Sequence, residues 1–535
     1  MQKIYYGGRI MTMLDENDYV DAILVNDGKI IATGTREVVL DKVNEDTEYE
    51  EIDLNGQTLM PAFIDPHSHV SMVAQTAFMA NLADCKTFED IQETLIKYKE
   101  TKNLSKTAPI IGFGYDHNFL AEESHPTKKL LDNVSETNPI FILHTSAHMG
   151  SVNSATLSLA EITENTEDPH GGVIGREKDG KEPNGYLEES AMGLVQRLIF
   201  SNLEMDFNEL IVDAQEQYLE NGITTVQDGA STEEVIQQLQ GAADADLLKL
   251  DTIAYPLMTA GAREIMKEHP DIANKYQNHL KIGGYKMLLD GSPQGKSAWL
   301  TEPYEGEDTY RGYPWMEDKE VKKYIEMALE DNQQLLVHCN GDAASDQLLR
   351  LYAEAFEASN NPNKEKLRPT MIHCQTVRND QLDQMVELDM IPSIFVSHTY
   401  YWGDVHLKNL GDDRGRRISP AKSAFDRGLM VNFHQDSPVV KPLMLHTVWC
   451  AVNRITRNGV SIGQEETIGV YDALKAVTIN AAYAYFEEDI KGTVEEEKLA
   501  DLVILDRNPL EVDPYEIKDI KVIETIKEGV TLYKK

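Results

Sequence analysis

The stretch Leu59-Met60-Pro61-Ala62-Phe63-Ile64-Asp65-Pro66-His67-Ser68-His69 decides how this chain is read. An apolar, β-like run ends in two histidines with one residue between them. Side chains alternate along an extended segment, so His67 and His69 point to the same side and can grip one ion. Four further apolar runs end in the same way, at Lys286, His338, His373 and Asp436. Imidazole and carboxylate donors of this kind suit zinc and its neighbours.

The runs that carry this ladder alternate with helical stretches. After the first come β-like segments at 222–228, 248–255, 280–286, 334–338, 369–373, 390–396 and 428–434, with helical segments such as 318–331 and 379–388 between several of them. Eight βα units close into a (β/α)8 TIM barrel whose active site lies at the C-terminal strand ends. Every ladder residue falls at such an end. A doubly wound open sheet also alternates, but it does not bring first and eighth strands together.

Both ends of the chain read as short strands with tight turns. Asp27-Gly28, between Ala22-Ile23-Leu24-Val25 and Lys29-Ile30-Ile31-Ala32, is a hairpin signal. Ala500-Asp501-Leu502-Val503-Ile504-Leu505 and Val530-Thr531-Leu532-Tyr533 repeat the style. The expected organisation is a small β-sandwich domain built from 1–58 and 486–535 around a barrel at 59–485. The gap after the first barrel strand, about 70–220, is too long for an ordinary βα connection. It is read as a folded insertion over the barrel mouth.

The formal charge of −40 over 535 residues argues against nucleic acid, which needs clustered Lys and Arg, and against anionic membrane surfaces. No stretch approaches the roughly 20 apolar residues of a spanning helix. The first residues lack the apolar core of a signal peptide, so a soluble cytoplasmic protein is expected. The expected partner is a small-molecule substrate, and a homodimer is compatible with the sequence. Four cysteines do not make a disulfide framework. Cys339 and Cys374 each follow a ladder histidine, hence point the other way, and are read as packing residues.

Chemically, His67 and His69 hold one metal, and His338 and His373 can hold a second. Lys286 is odd in this company, because an ammonium ion has no lone pair. It fits if it reacts with carbon dioxide to give a carbamate bridging two metals, and burial favours the neutral amine this needs. An ordinary salt-bridging lysine in a one-metal site stays open. Asp436 can bind the first metal and act as proton shuttle for a metal-activated hydroxide.

These residues resemble the amidohydrolase superfamily, and within it the YtcJ-like enzymes (amidohydrolase family 3). The matching segments are Asp65-Pro66-His67-Ser68-His69, Lys286 before Asp290-Gly291-Ser292, His338, Ile372-His373-Cys374-Gln375 and Asp436-Ser437-Pro438. The similarity covers nearly the whole chain. It implies a hydrolase of non-peptide carbon–nitrogen bonds, often amides or N-substituted formamides, with one or two divalent ions. A metal-dependent esterase or lactonase, and a noncatalytic binding barrel, are the alternatives. His434 stands where many members carry a small residue. It is a candidate for substrate contact or for support of the ligands. His148, in a family-like segment of the insertion, is a second substrate candidate. Arg414 and its neighbour Arg416 could meet a substrate carboxylate. Trp299 and Trp402, with Tyr400 and Tyr401, could wall an apolar pocket. Asp116 and Glu188 match family-like loops without a role that chemistry assigns.

Overall fold

Strands covered on both faces bury nearly every residue, and the eight barrel strands do. They are β1 (Phe63–Ile64), β2 (Ile223–Ser231), β3 (Asp251–Pro256), β4 (Leu280–Ile282 continued by Gly284–Leu288), β5 (Gln334–Cys339), β6 (Thr370–His373), β7 (Ile391–Ile394) and β8 (Asn432–Phe433). This computed structural model describes residues 2–44, 48–200 and 206–535. The strands pair in parallel in chain order, β1 to the first half of β4 in one sheet and the second half of β4 to β8 in another. The break in β4 falls at Gly283-Gly284, where Gly284 takes φ +156 and a Cβ would meet the Gln334 carbonyl oxygen at 2.4 Å. Past β8 the ring closes by backbone. Asp436 N donates to His67 O at 3.0 Å, and His69 N donates to Ser437 O at 2.8 Å. Helices such as Glu233–Asp244, Asp318–Glu330, Asp342–Ala358 and Asn379–Glu387 follow their strands.

Two local expectations change. The 428–434 run yields only the two-residue β8, and the 59–64 run serves two sheets. Thr58–Pro61 pairs antiparallel with Leu502–Leu505, and only Phe63–Ile64 enters the barrel. The switch is visible in consecutive amides: Ala62 N donates to Asp501 O, Phe63 N to Gly222 O. Met60 and Phe63 accordingly pack into the barrel core while Leu59 packs into the terminal domain.

That domain is an eight-stranded sheet drawn from both termini. Its Asp27-Gly28 turn meets the segment that leads into Leu502–Leu505, with Ala500 N donating to Gly28 O at 2.8 Å. One core of Tyr5, Ile23, Ile30, Leu502 and Ile526 lies between the halves. The Asp27-Gly28 hairpin forms with Asn26 opposite Lys29 and both turn residues at positive φ, 48 and 80, as a two-residue type I′ turn requires. The insertion holds a six-stranded sheet, ordered 172–176, 183–189, 149–152, 140–144, 110–115, 80–81, with apolar cores of its own. Helix Phe207–Leu219 then returns the chain to the barrel, packing into the main core.

Candidate metal and active site

The ladder residues converge at the barrel mouth. His67 and His69 lie beyond β1 in irregular backbone, yet both Nε2 atoms face the same carboxylate oxygen. Asp436 Oδ1 is 3.4 Å from His67 Nε2 and 3.1 Å from His69 Nε2. Lys286 Nζ is 3.4 Å from His67 Nε2. His373 Nε2 lies 3.1 Å from His338 Nδ1 and 3.9 Å from Asp436 Oδ2. One carboxylate therefore has an oxygen toward each histidine pair.

Each imidazole is fixed from behind. His67 Nδ1 meets Gln227 Oε1 at 2.5 Å, and His69 Nδ1 meets Gly229 O at 2.6 Å. His373 Nδ1 meets His434 Nε2 at 3.1 Å. His338 Nε2 lies 3.3 Å from Gly291 O and 3.1 Å from Asn340 Nδ2. Tying off the outer nitrogen orients a ligand ring and leaves the inner one for a metal. Burial pushes His67, His338 and His373 well below the ordinary imidazole range, so they are neutral, the ligating form. Burial works against the Asp436 carboxylate too, but the His69 hydrogen bond and the neighbouring rings outweigh it and hold the group ionised. Burial brings Lys286 down to about 7. The donor set fits a divalent metal. His67, His69 and Asp436 bring one donor atom each within 4.8 Å of the others and could hold one ion, and His338 and His373 could contribute to a second.

Backbone geometry aims some of these groups. His373 and Asp436 adopt positive φ, 79 and 55, so the chain turns sharply at the ligand itself. Such conformations persist at sites where the surroundings impose them.

The ladder opens into a cavity of about 1050 Å³ lined by barrel and insertion together. The insertion supplies Met79, Leu143, Met192 and Phe200, and Trp315 adds an aromatic wall from the barrel side. His148 is in place. Its ring lies 5.1 Å from that of His338, and its Nδ1 is 2.7 Å from Glu189 Oε2. Burial disfavours charge on His148, but Glu189 beside it prevails and raises its pKa. Glu189 was missed in the sequence. It is buried, takes φ 52 and ψ −125, and leaves Oε1 without a hydrogen-bond partner. The adjacent acids Glu188-Glu189 at a strand end were the available signal. Gln227 was also missed, though a glutamine directly after the run Ile223-Thr224-Thr225-Val226 is a legible oddity.

Four substrate candidates are placed elsewhere. His434 is fully buried between His373 and Ser393, whose Oγ is 3.0 Å from its Nδ1. It supports a ligand and does not reach substrate. Arg414 donates to the carbonyls of Leu410, Glu302 and Pro303, binding loop to loop, and Arg416 pairs with Asp412. Trp299 packs against the barrel core, its backbone amide donating to Asp290 Oδ2 at 3.0 Å. Trp402 lines a neighbouring cavity of about 380 Å³ with Tyr401 and Val440. For the arginines and tryptophans the loop after the strand runs away from the ladder, while His434 lies behind it. Glu188 accepts from Tyr186 and Tyr313 hydroxyls. Cys339 and Cys374 are free, buried in the main core.

The profile described as "Amidohydrolase family" matches residues 50–533. A putative amidohydrolase, YtcJ, of Bacillus subtilis is 27% identical over the whole of both chains. An N-substituted formamide deformylase of Arthrobacter pascens is 27% identical, covering 98% of this chain and 97% of that protein. Among solved structures, an uncharacterized metal-dependent hydrolase from Pyrococcus furiosus superposes with TM-score 0.74 at 25% identity, over 96% of this chain and 100% of the other.

Proposed function

Since the chain belongs to the amidohydrolase family and is thereby a hydrolase of non-peptide carbon–nitrogen bonds, we propose that its substrate is a small amide, with N-substituted formamides the first class to test. The observation that carries the reading is the convergence of two imidazoles on one oxygen of Asp436, with a second histidine pair on the side of the other oxygen. The deformylase relative supports the formamide class, as do the methionine and aromatic side chains of the cavity, which suit an apolar N-substituent.

The proposed ligands are His67, His69 and Asp436 for one ion and His338 and His373 for another, zinc being the ion their nitrogen-rich set favours. Such an ion supplies Lewis acidity and brings the pKa of bound water from 15.7 to about 7. The remaining work falls to side chains. Asp436 takes the proton of the attacking water and returns it to the departing nitrogen. His148, which lines the cavity and is made easier to protonate by Glu189 at its Nδ1, would orient the carbonyl oxygen. Lys286 Nζ, brought down to about 7 by burial and so partly neutral near pH 7, would add its lone pair to the carbon of carbon dioxide and release a proton to solvent, giving a carbamate that could serve both ligand groups.

The test is a substrate panel of N-alkyl formamides, N-acyl amino acids, esters and lactones, run on chelator-treated protein with and without added zinc. Formamide or amide turnover that depends on zinc is expected. Turnover confined to esters and lactones, or undiminished in verified metal-free protein, overturns the proposal.

A further inference from the structure

A second cavity lies between the insertion and the barrel, and none of the ladder residues lines it. Its volume is about 380 Å³, within the range that holds a small molecule. Its body is aromatic. Phe113 comes from strand Ile110–Tyr115 of the insertion, Phe119 from the loop beyond it, and Tyr401 and Trp402 from the segment after β7. Phe119, Tyr401 and Trp402 pack together with Val439 and Val440. Two cations, Arg457 and Lys441, stand in the same lining. We infer that this cavity binds a small aromatic carboxylate, its ring among the aromatic side chains and its carboxylate on Arg457 and Lys441.

The two cations are the informative feature. The chain has 90 Asp and Glu against 50 Lys and Arg, so acids to pair with are abundant. Yet among the described residues neither the Arg457 nor the Lys441 side chain makes an ion pair or a hydrogen bond. Arg457 instead lays its guanidinium over the Phe119 ring, 4.2 Å from the centroid. Stacking uses the face of a guanidinium and leaves its N–H edge to fork a carboxylate. Arg457 N donates to Tyr400 O at 2.9 Å, which ties the turn carrying the guanidinium to the segment carrying the aromatic wall. Lys441 adds a point charge on a long stem. One acid, Asp116, shares the lining, and its oxygens are engaged. Asp116 Oδ1 accepts from Asn118 N and Nδ2 at 2.9 and 3.0 Å, and Oδ2 accepts from Trp402 Nε1 at 2.8 Å. The cations outnumber it, and the lining favours an anion. An exposed cation alone holds an anion weakly; burial of a ring against aromatic walls supplies the rest.

The position gives the ligand a bearing on the metal site. Val439 lines both cavities. Its amide donates to Asp436 O at 2.8 Å, and Ser437 O accepts from His69 N at 2.8 Å. The floor of the second cavity is thus the segment that carries Asp436. A bound carboxylate lies behind that segment and does not compete for the metal donors.

Naphthylacetate should be titrated calorimetrically into zinc-loaded wild-type protein and into a variant carrying Arg457→Gln and Lys441→Gln together, with naphthylethanol as the uncharged probe. Both positions are exposed, so the fold should tolerate the changes. Wild type is expected to bind naphthylacetate at least about tenfold more tightly than the variant does, and to prefer it to naphthylethanol by a similar factor, since hydrogen bonds to charged groups are the strong ones. A carboxylate held by zinc at the ladder would survive both substitutions. Equal affinity in wild type and variant therefore overturns the inference, as does the absence of binding at millimolar naphthylacetate. Diffraction from the wild-type complex decides if the variant fails to fold. Density is expected between the aromatic side chains and Arg457, and density at the ladder alone removes this site while leaving the proposed function standing.

Discussion

Asp436 turns one oxygen to each histidine pair and stays ionised despite burial, so it can hold a metal and carry a proton. Asp436→Asn preserves shape and one donor oxygen but cannot accept the proton. We expect kcat to fall by about 10²–10⁴ in samples matched for metal content, and turnover within a few-fold of wild type would move the shuttle elsewhere. Lys286→Ala should lose the second ion and most activity, with partial recovery when a short carboxylic acid is added to mimic the carbamate. An unmodified lysine in fully loaded, active protein would falsify the carbamate. His434 acts at one remove, through His373 Nδ1. His434→Phe keeps the packing and removes the hydrogen bond. Competition with a chelator should show metal affinity about 10–100-fold weaker, the usual cost of losing such a support. Unchanged affinity would reduce His434 to a packing residue.

Elements meet tightly where the loop after β4 faces the insertion. A Cβ on Gly291 would come within 1.9 Å of Glu189 Oε1 and 2.2 Å of Ser297 Oγ. Glu189 in turn holds His148. Gly291→Ala should therefore push Glu189 and His148 out of line, reaching the ladder only through the Gly291 carbonyl, 3.3 Å from His338 Nε2. A displacement near 1 Å in a catalytic array can cost about 10²-fold, so kcat/KM should drop by up to that amount while the metal count stays at the wild-type level. Loss of metal in step with activity would mean that the strain has reached His338 instead.

Across the whole molecule, acid should be destabilising. Among the described residues, nine imidazoles are held below their ordinary range, chiefly by burial. His446, for example, is lowered to about 4 and His406 to about 3. A histidine whose folded pKa is depressed binds its proton first in the unfolded chain. Its contribution is whole above the unfolded value, near 6.5, and drains away as pH falls toward the folded value. Asp65, Asp290 and Glu188, raised by burial, act in the opposite direction, but they are fewer. The melting temperature of metal-free protein should fall steadily from pH 6.5 to 4. A flat or rising profile would show that the buried carboxyls, or relief of the −40 charge, dominate.

Periodicity and residue type made the eight βα units, the terminal hairpins and the ladder legible, because these are local properties: alternation, turn chemistry and ligand side chains at the ends of apolar runs. The sequence by itself determined the barrel, the metal chemistry and the family. It could not determine which way the loops run. Trp299, Trp402 and Arg414 have the right chemistry for a pocket wall, yet their loops carry them away from it. His434 sits two residues from Asp436 but is buried behind His373. Residues far apart in the chain build the rest: Gln227 behind His67, 160 positions away, Glu189 against His148, and Asp116 beside His144. Such contacts leave no spacing to read, because they are fixed only when the insertion folds its own sheet and packs over the barrel mouth.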